Sequence, residues 1–230
     1  MVKLCYIRYM RKKILAVGET YHLFTRSIAD FVIFNNDNDF DRMQQLIKYY
    51  SIDNKIKFSD FIAYRNVQKN GFNNTLNAIS KNKEKLVQVI AYCLMPTHIH
   101  LILRQLTDKG ISKYMSDFLN SYTKYFNTLH KRKGPLWESR FKNVLVETDN
   151  QLLHLTRYIH LNPVTAELVN KPKNWLFSSY GEYIDNVRDS VVICHFEDVL
   201  EVRPSSYRRF VDDQIGYQKE LAKIKRLLLD

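Results

Sequence analysis

The sequence predicts an α+β fold, in which helices pack on one face of an antiparallel sheet. Three observations predict it. The apolar runs Val87–Leu94 and His98–Leu103 are separated only by Met95-Pro96-Thr97. Strands joined that tightly pair antiparallel as a hairpin, and proline suits the turn because it cannot pair inside a central strand. Ile111, Met115, Phe118, Leu119, Tyr122, Phe126 and Leu129 recur at i, i+3/i+4 spacing, which marks a long helix with one apolar face. Strand-like runs at Thr20–Ile28 and Lys142–Glu147 stand on either side of these elements.

The elements follow in order. TYHLFTRSI (Thr20–Ile28) is rich in β-branched and aromatic residues and reads as a strand, which Phe31–Phe34 extends or follows as a loop. The polar break Asn35–Asp39 can cap a helix that carries Phe40, Met43, Leu46, Ile47 and Tyr50. Residues 51–84 read as a helical insertion, with one helix over KFSDFIAYRNVQ and a second over NNTLNAISKNKEKL. After the hairpin, His130–Lys133 and Gly134-Pro135 end the long helix. Asp149 can cap a further helix over about Asn150–Leu161, which Pro163 ends because the residue before proline avoids the helical region. Residues 164–185 read as a loop-rich tail with aromatics. Asp198–Leu229 holds two amphipathic helical patterns, the last strongly basic. The order strand, helix, strand, strand, helix, strand is the ferredoxin-like pattern, and it leaves one sheet face open to DNA or a second copy of the chain. The expected organisation is a catalytic domain over residues 1–185, including the insertion, and a C-terminal helical extension over 186–230.

Of 230 residues, 45% are hydrophobic, enough for a core, while six glycines and five prolines argue against long flexible linkers. The formal charge of +11 attracts polyanions, nucleic acid first and an acidic membrane surface second. Cys5, Cys93 and Cys194 are far apart and form no C-x-x-C pair, so neither a disulfide frame nor a zinc ribbon is expected. No run has signal-peptide or membrane-spanning length. A soluble cytoplasmic, nucleoid-associated protein is the expectation.

His98-Ile99-His100 is the sharpest chemical feature. Side chains alternate along a strand, so both imidazoles share a face while Ile99 points to the core. Two neutral imidazoles so placed make half of a divalent-metal site. Tyr158 and Asn162 lie one helical turn apart on one face. An amide oxygen from Asn162 suits a hard cation such as magnesium or manganese, and Tyr158 can attack a phosphate. Spacing alone does not select Tyr158 among 15 tyrosines, and Tyr122 and Tyr125 on the earlier helix remain alternatives. Basic and aromatic residues interleave nearby. Lys131, Arg132, Trp137, Arg140 and Lys142 have the composition of a groove for single-stranded nucleic acid, with Arg140 and Lys142 the better phosphate contacts.

Four stretches then occur in order: AYCLMPTHIHLIL (Ala91–Leu103), GPLWESRFKN (Gly134–Asn143), RYIHLNPVTAELV (Arg157–Val169) and WLFSSYGEY (Trp175–Tyr183). Together they closely resemble the HUH single-tyrosine transposases, in particular the REP-associated tyrosine transposases. The resemblance covers about residues 85–183. It implies a ferredoxin-like core, a magnesium or manganese ion, and cleavage of single-stranded DNA beside hairpins. It implies metal ligands at His98, His100 and Asn162 and a nucleophile at Tyr158 that forms a 5′-phosphotyrosine, with Arg157 and Arg140 on phosphate and a possible homodimer. Three positions depart from the usual pattern: Thr97, Thr165 and Glu167 stand where asparagine, arginine and glycine are common. A DNA-binding regulator without catalysis, or a hydrolytic metallonuclease, would share the charge and the sheet face. Neither would form a covalent link to DNA.

Overall fold

The computed structural model describes residues 15–186 and 192–220. Four strands, β1 (Thr20–Arg26), β2 (Val87–Met95), β3 (His98–Gln105) and β4 (Lys142–Val146), form one sheet in the order β2-β3-β1-β4, with every neighbouring pair antiparallel. That is the ferredoxin-like arrangement, with β3 and β1 in the middle and β2 and β4 at the edges.

Two helices cover one face: α1 (Asp37–Tyr50) and α5 (Gly110–Leu129). They pack on each other and bury Leu23, Ile99, Leu101 and Leu103 of the sheet completely or almost so. Tyr114 and Tyr122 of α5 donate hydrogen bonds to the carbonyls of Ile47 and Ile33, at 3.3 and 2.5 Å, so each buried hydroxyl has a partner. The expected stripe on α5 is buried from Ile111 to Phe126, and Leu129 at its end is exposed. The cap of α1 is Asn36, whose side chain accepts from the Asp39 amide.

The segment 51–84 is helical, but its first helix is broken into α2 (Phe58–Ala63) and α3 (Arg65–Asn70) at Tyr64, and α4 (Phe72–Ser80) follows Gly71. Gly71 has φ +80, a conformation that favours glycine and lets the chain turn between α3 and α4.

The sixth helix differs from its expected form at both ends. α6 spans Asp149–Thr165, its cap is Thr148, which accepts from Gln151 N, and Pro163 lies inside it. Pro163 costs the helix one backbone bond. It is tolerated because Ile159, Leu161, Pro163 and Val164 are all buried together. α6 packs on β2 from the other face of the sheet, so that face is partly covered rather than open. The aromatic tail after α6 also contributes: Leu94 N donates to Phe177 O, and Trp175 Nε1 donates to Leu94 O, which closes the exposed edge of β2. α7 (Tyr180–Tyr183) and α8 (Pro204–Asp212) pack against each other, and α8 packs on α6. The final basic pattern begins as helix at residue 215, and its remainder lies outside the described residues. Among the described residues no helix is long and apolar enough to cross a membrane, and the two described cysteines, Cys93 and Cys194, are free and buried.

Candidate active site

Strand alternation builds the site. On β3 it puts His98 and His100 on the face that α6 crosses. On β1 it puts His22, Phe24 and Arg26 on that face as well. The register sets Phe24 opposite His100 and Arg26 opposite His98, while Lys142 of β4 lies opposite Phe24. The rings of His98 and His100 have centroids 5.2 Å apart.

Each of the two histidines uses one nitrogen inside the protein. Nδ1 of His98 lies 3.0 Å from Thr97 Oγ1. Nδ1 of His100 lies 3.0 Å from Nε2 of His22. With Nδ1 the donor in each contact, Nε2 of each ring keeps its lone pair. His22 and His100 are only 9% and 8% exposed. Burial pushes the pKa of His100 down to about 3, helped by His22, His98 and Arg26. Burial, then Arg26, pushes His98 down to about 4, against the pull of Asp30. Burial alone takes His22 to about 4. All three rings are neutral at pH 7, the state that offers a lone pair to a metal.

Tyr158 stands over this cluster in the same chain. Its ring meets His100 edge-on at 6.0 Å and His22 at 6.5 Å, and it is 46% exposed. Asn162 is one turn further along α6, and its Nδ2 is buried without a hydrogen-bond partner. That nitrogen is a donor, so it could serve an oxygen acceptor such as a phosphate, while only Oδ1 of the same amide could ligate a metal. No group of three or more His, Cys, Asp or Glu side chains placed to hold a metal occurs among the described residues. The donor set on offer is therefore two imidazoles and an amide. It is an open, incomplete set that would leave positions for phosphate and water, unlike a closed structural zinc site.

A buried chain of hydrogen bonds holds α6 in place. Tyr92 N donates to Ser179 Oγ at 2.9 Å, and Ser179 Oγ lies 2.8 Å from Nε2 of His160. Nδ1 of His160 lies 2.7 Å from Tyr207 Oη, which donates to Thr156 Oγ1, which donates to Leu153 O. A neutral His160 protonated on Nδ1 completes this chain if the Ser179 hydroxyl turns its one proton to Nε2, 2.8 Å away, rather than to Tyr92 O, 3.2 Å away. Burial holds it neutral, with a pKa near 3. His160 ties the helix of Tyr158 to β2 on one side and α8 on the other.

The other expected site residues divide. Lys142 lies on the histidine face, its Nζ 5.8 Å from the Phe24 ring. Arg140 is exposed beside it and lines a groove of about 450 Å³ with Trp137, Ser116 and Asn120. Trp137 is half-buried and donates from Nε1 to Thr123 Oγ1 and Leu119 O, so it props α5 rather than standing free for stacking. Lys131 is exposed in a turn of positive φ. Arg132 is folded into its own loop, donating to Asn127 Oδ1 and Pro135 O. Arg157 is partly exposed; its guanidinium sits 4.1 Å from the Phe210 ring of α8 and donates to His154, which braces α6 against α8. Tyr122 and Tyr125 are corrected as nucleophiles. Both sit on α5, across the sheet, with hydroxyls bound to Ile33 O and Asp39 Oδ1, and Tyr122 is wholly buried. His22 and Arg26 were missed. The alternation of His22, Phe24 and Arg26 along the first strand was the signal that could have found them.

The comparisons with known proteins cover the part of the chain that carries these residues. Residues 59–162 match the model of the IS200-like transposase family, a span that includes His98, His100 and Tyr158 and ends on Asn162. A Haemophilus influenzae protein assigned to the REP-associated tyrosine transposases is 29% identical over 104 residues, covering 40% of this chain and 58% of that protein. The match therefore spans little more than half the length of that relative. A solved REP-associated tyrosine transposase bound to a REP hairpin superposes with a TM-score of 0.50 at 14% identity, covering 80% of this chain and 93% of that one, which shows a shared fold. Over residues 59–162, a little under half of the chain, the sequence is similar to the IS200-like transposases, and these are the proteins that its four ordered motifs resemble.

Proposed function

We propose that this chain is a transposase that nicks single-stranded DNA beside a hairpin and transfers the strand through a 5′-phosphotyrosine at Tyr158. One observation carries the reading: the half-exposed phenol of Tyr158 stands 6.0 Å from His100 of its own chain, over two imidazoles that are neutral and have Nε2 unengaged. A pure binding module needs neither the phenol nor the paired imidazoles in that relation.

Magnesium or manganese held by His98, His100 and Asn162 would polarise the scissile phosphate and fix its orientation. The chain's own residues do the rest. Lys142 and Arg26, on the same sheet face, neutralise backbone phosphates and set the strand's direction, and Arg140 extends that track along the neighbouring groove. Tyr158 Oη attacks phosphorus and loses its proton. The new Tyr–O–P bond replaces the bond to the 3′ oxygen, which leaves as a 3′-hydroxyl. Attack by a 3′-hydroxyl on the phosphotyrosine reverses these changes and rejoins DNA. The solved relative was bound to a REP hairpin, and hairpin DNA is the corresponding substrate class here. The nucleophile and histidines come from one chain, so a second copy is not needed to complete the site.

A labelled hairpin with a single-stranded flank, incubated with manganese and resolved on a denaturing gel, tests this. The expected result is a protein–DNA adduct that Tyr158→Phe abolishes and EDTA suppresses. Cutting without an adduct would mean a hydrolytic nuclease, and an adduct that survives Tyr158→Phe would remove Tyr158 from its role.

A further inference from the structure

On the helical side of the sheet, away from the histidines, a cleft of about 950 Å³ opens between α1, α5 and residues 53–59. Its walls carry five cations, Arg42, Lys55, Lys57, Lys113 and Lys124, against two carboxylates, Asp53 and Asp117. Both carboxylates are taken by Lys113, at 3.4 and 2.7 Å. Arg42, Lys55, Lys57 and Lys124 have no carboxylate partner among the described residues.

Arg42 is the unusual member. Its guanidinium lies 4.5 Å from the Phe58 ring centroid and 4.9 Å from that of Tyr125. Both rings are fixed: Phe58 is wholly buried, and Tyr125 donates its hydroxyl to Asp39 Oδ1 at 2.9 Å. The guanidinium is thus held in one orientation, yet its Nε is buried and makes no hydrogen bond. A partly buried cation normally finds a carboxylate or carbonyls, because an unpaired one is costly. Two aromatic faces offset part of that cost but supply no acceptor. What is lacking is an anion with several oxygens, and phosphate matches the planar fork. Asn120 lines both this cleft and the groove of Arg140 and Trp137, so the two are neighbours on α5.

We propose that this cleft is a second nucleic-acid contact, in which Arg42 binds a phosphodiester of the DNA strand at a distance from the scissile bond and Lys55, Lys57 and Lys124 hold its neighbours. The proposal rests on the chain's acting on DNA, but not on Tyr158 chemistry.

Fluorescence anisotropy with full-length protein and single-stranded oligonucleotides tests it. Arg42→Gln is expected to weaken binding of a long oligonucleotide about tenfold, and Arg42→Lys nearly as much, because the fork is lost while the charge stays. Lys57→Ala combined with Lys124→Ala should lower the slope of log affinity against log salt by about 1.4. Both lysines are exposed, so that pair carries the test if Arg42→Gln does not fold. A short oligonucleotide spanning only the scissile region should form its adduct as in wild type. Loss of the Tyr158 adduct with the Arg42 effect intact would sink the catalytic reading and leave this one standing. Wild-type affinity and salt slope in these variants would overturn it. So would adenosine monophosphate raising the melting temperature of wild type but not of Arg42→Gln, with strand affinity unchanged, since the cleft would then take a free nucleotide.

Discussion

Two hydrogen bonds decide which nitrogen His98 and His100 could each offer to a metal. The Thr97 hydroxyl can accept from Nδ1 of His98, and His22 Nε2 can accept from Nδ1 of His100, leaving Nε2 of both rings with its lone pair. Thr97 stands where asparagine is usual, and it still meets that need because a hydroxyl also accepts. Its contact is local and was within reach of sequence reasoning. The contact of His22 is not, since it comes from a strand 78 residues away and appears only once β1 and β3 are in register. Removing such a partner frees the ring to turn and to change tautomer. His22→Ala is therefore expected to weaken manganese binding about 10–100-fold, measured by calorimetry in the absence of DNA. His22→Gln, whose amide oxygen can accept the same proton, should recover part of the loss. Equal affinities for wild type and His22→Ala would show that His22 does not orient His100.

The helix that carries Tyr158 shows how far local signals reach. Its hydrophobic spacing and its start were legible within one residue, although the cap is Thr148 and Asp149 is the first helical residue. Its end was not, because burial of Pro163 and its neighbours outweighs the local rule that stops a helix before proline. The true end is a Schellman turn: Leu168 N donates to Pro163 O and Glu167 N to Val164 O. Glu167 must then adopt φ +58, the left-handed conformation that glycine takes freely. That explains in physical terms why glycine suits this position, independently of any DNA contact. Glu167→Gly is expected to stabilise the protein by about 1 kcal/mol, raising the melting temperature by roughly 2–4 °C. A lower melting temperature would mean that the side-chain interactions of Glu167 outweigh the backbone strain.

At the scale of the molecule, the strand and helix order read from hydrophobic periods gave the right sheet, because β2–β3 and α5 are long and strongly patterned. The roles of Trp137, Arg132 and Arg157 were not legible, since composition shows that cations and aromatics are near in sequence but not which neighbours they pair with. The same long-range packing gives the fold a shared response to acid. His22, His98, His100, His160 and His195 are all held below their ordinary pKa, with burial the first cause in each. Above about pH 6.5 these rings are neutral in both folded and unfolded chains, and their contribution to stability is fully present. As pH falls from there toward 4, the unfolded chain takes up protons that the folded one resists, so stability is lost. Glu182 works the other way: burial raises its pKa to about 7, so its ionisation costs stability as pH rises from 4.5 to 7. Asp41 is also held above its ordinary pKa, by burial and by Asp37, and these two carboxyls set against five histidines leave a net loss on acidification. In metal-free buffer the urea midpoint should therefore be lower at pH 5 than at pH 7.5, and a midpoint that held or rose at pH 5 would show that these histidines are not kept neutral by the fold.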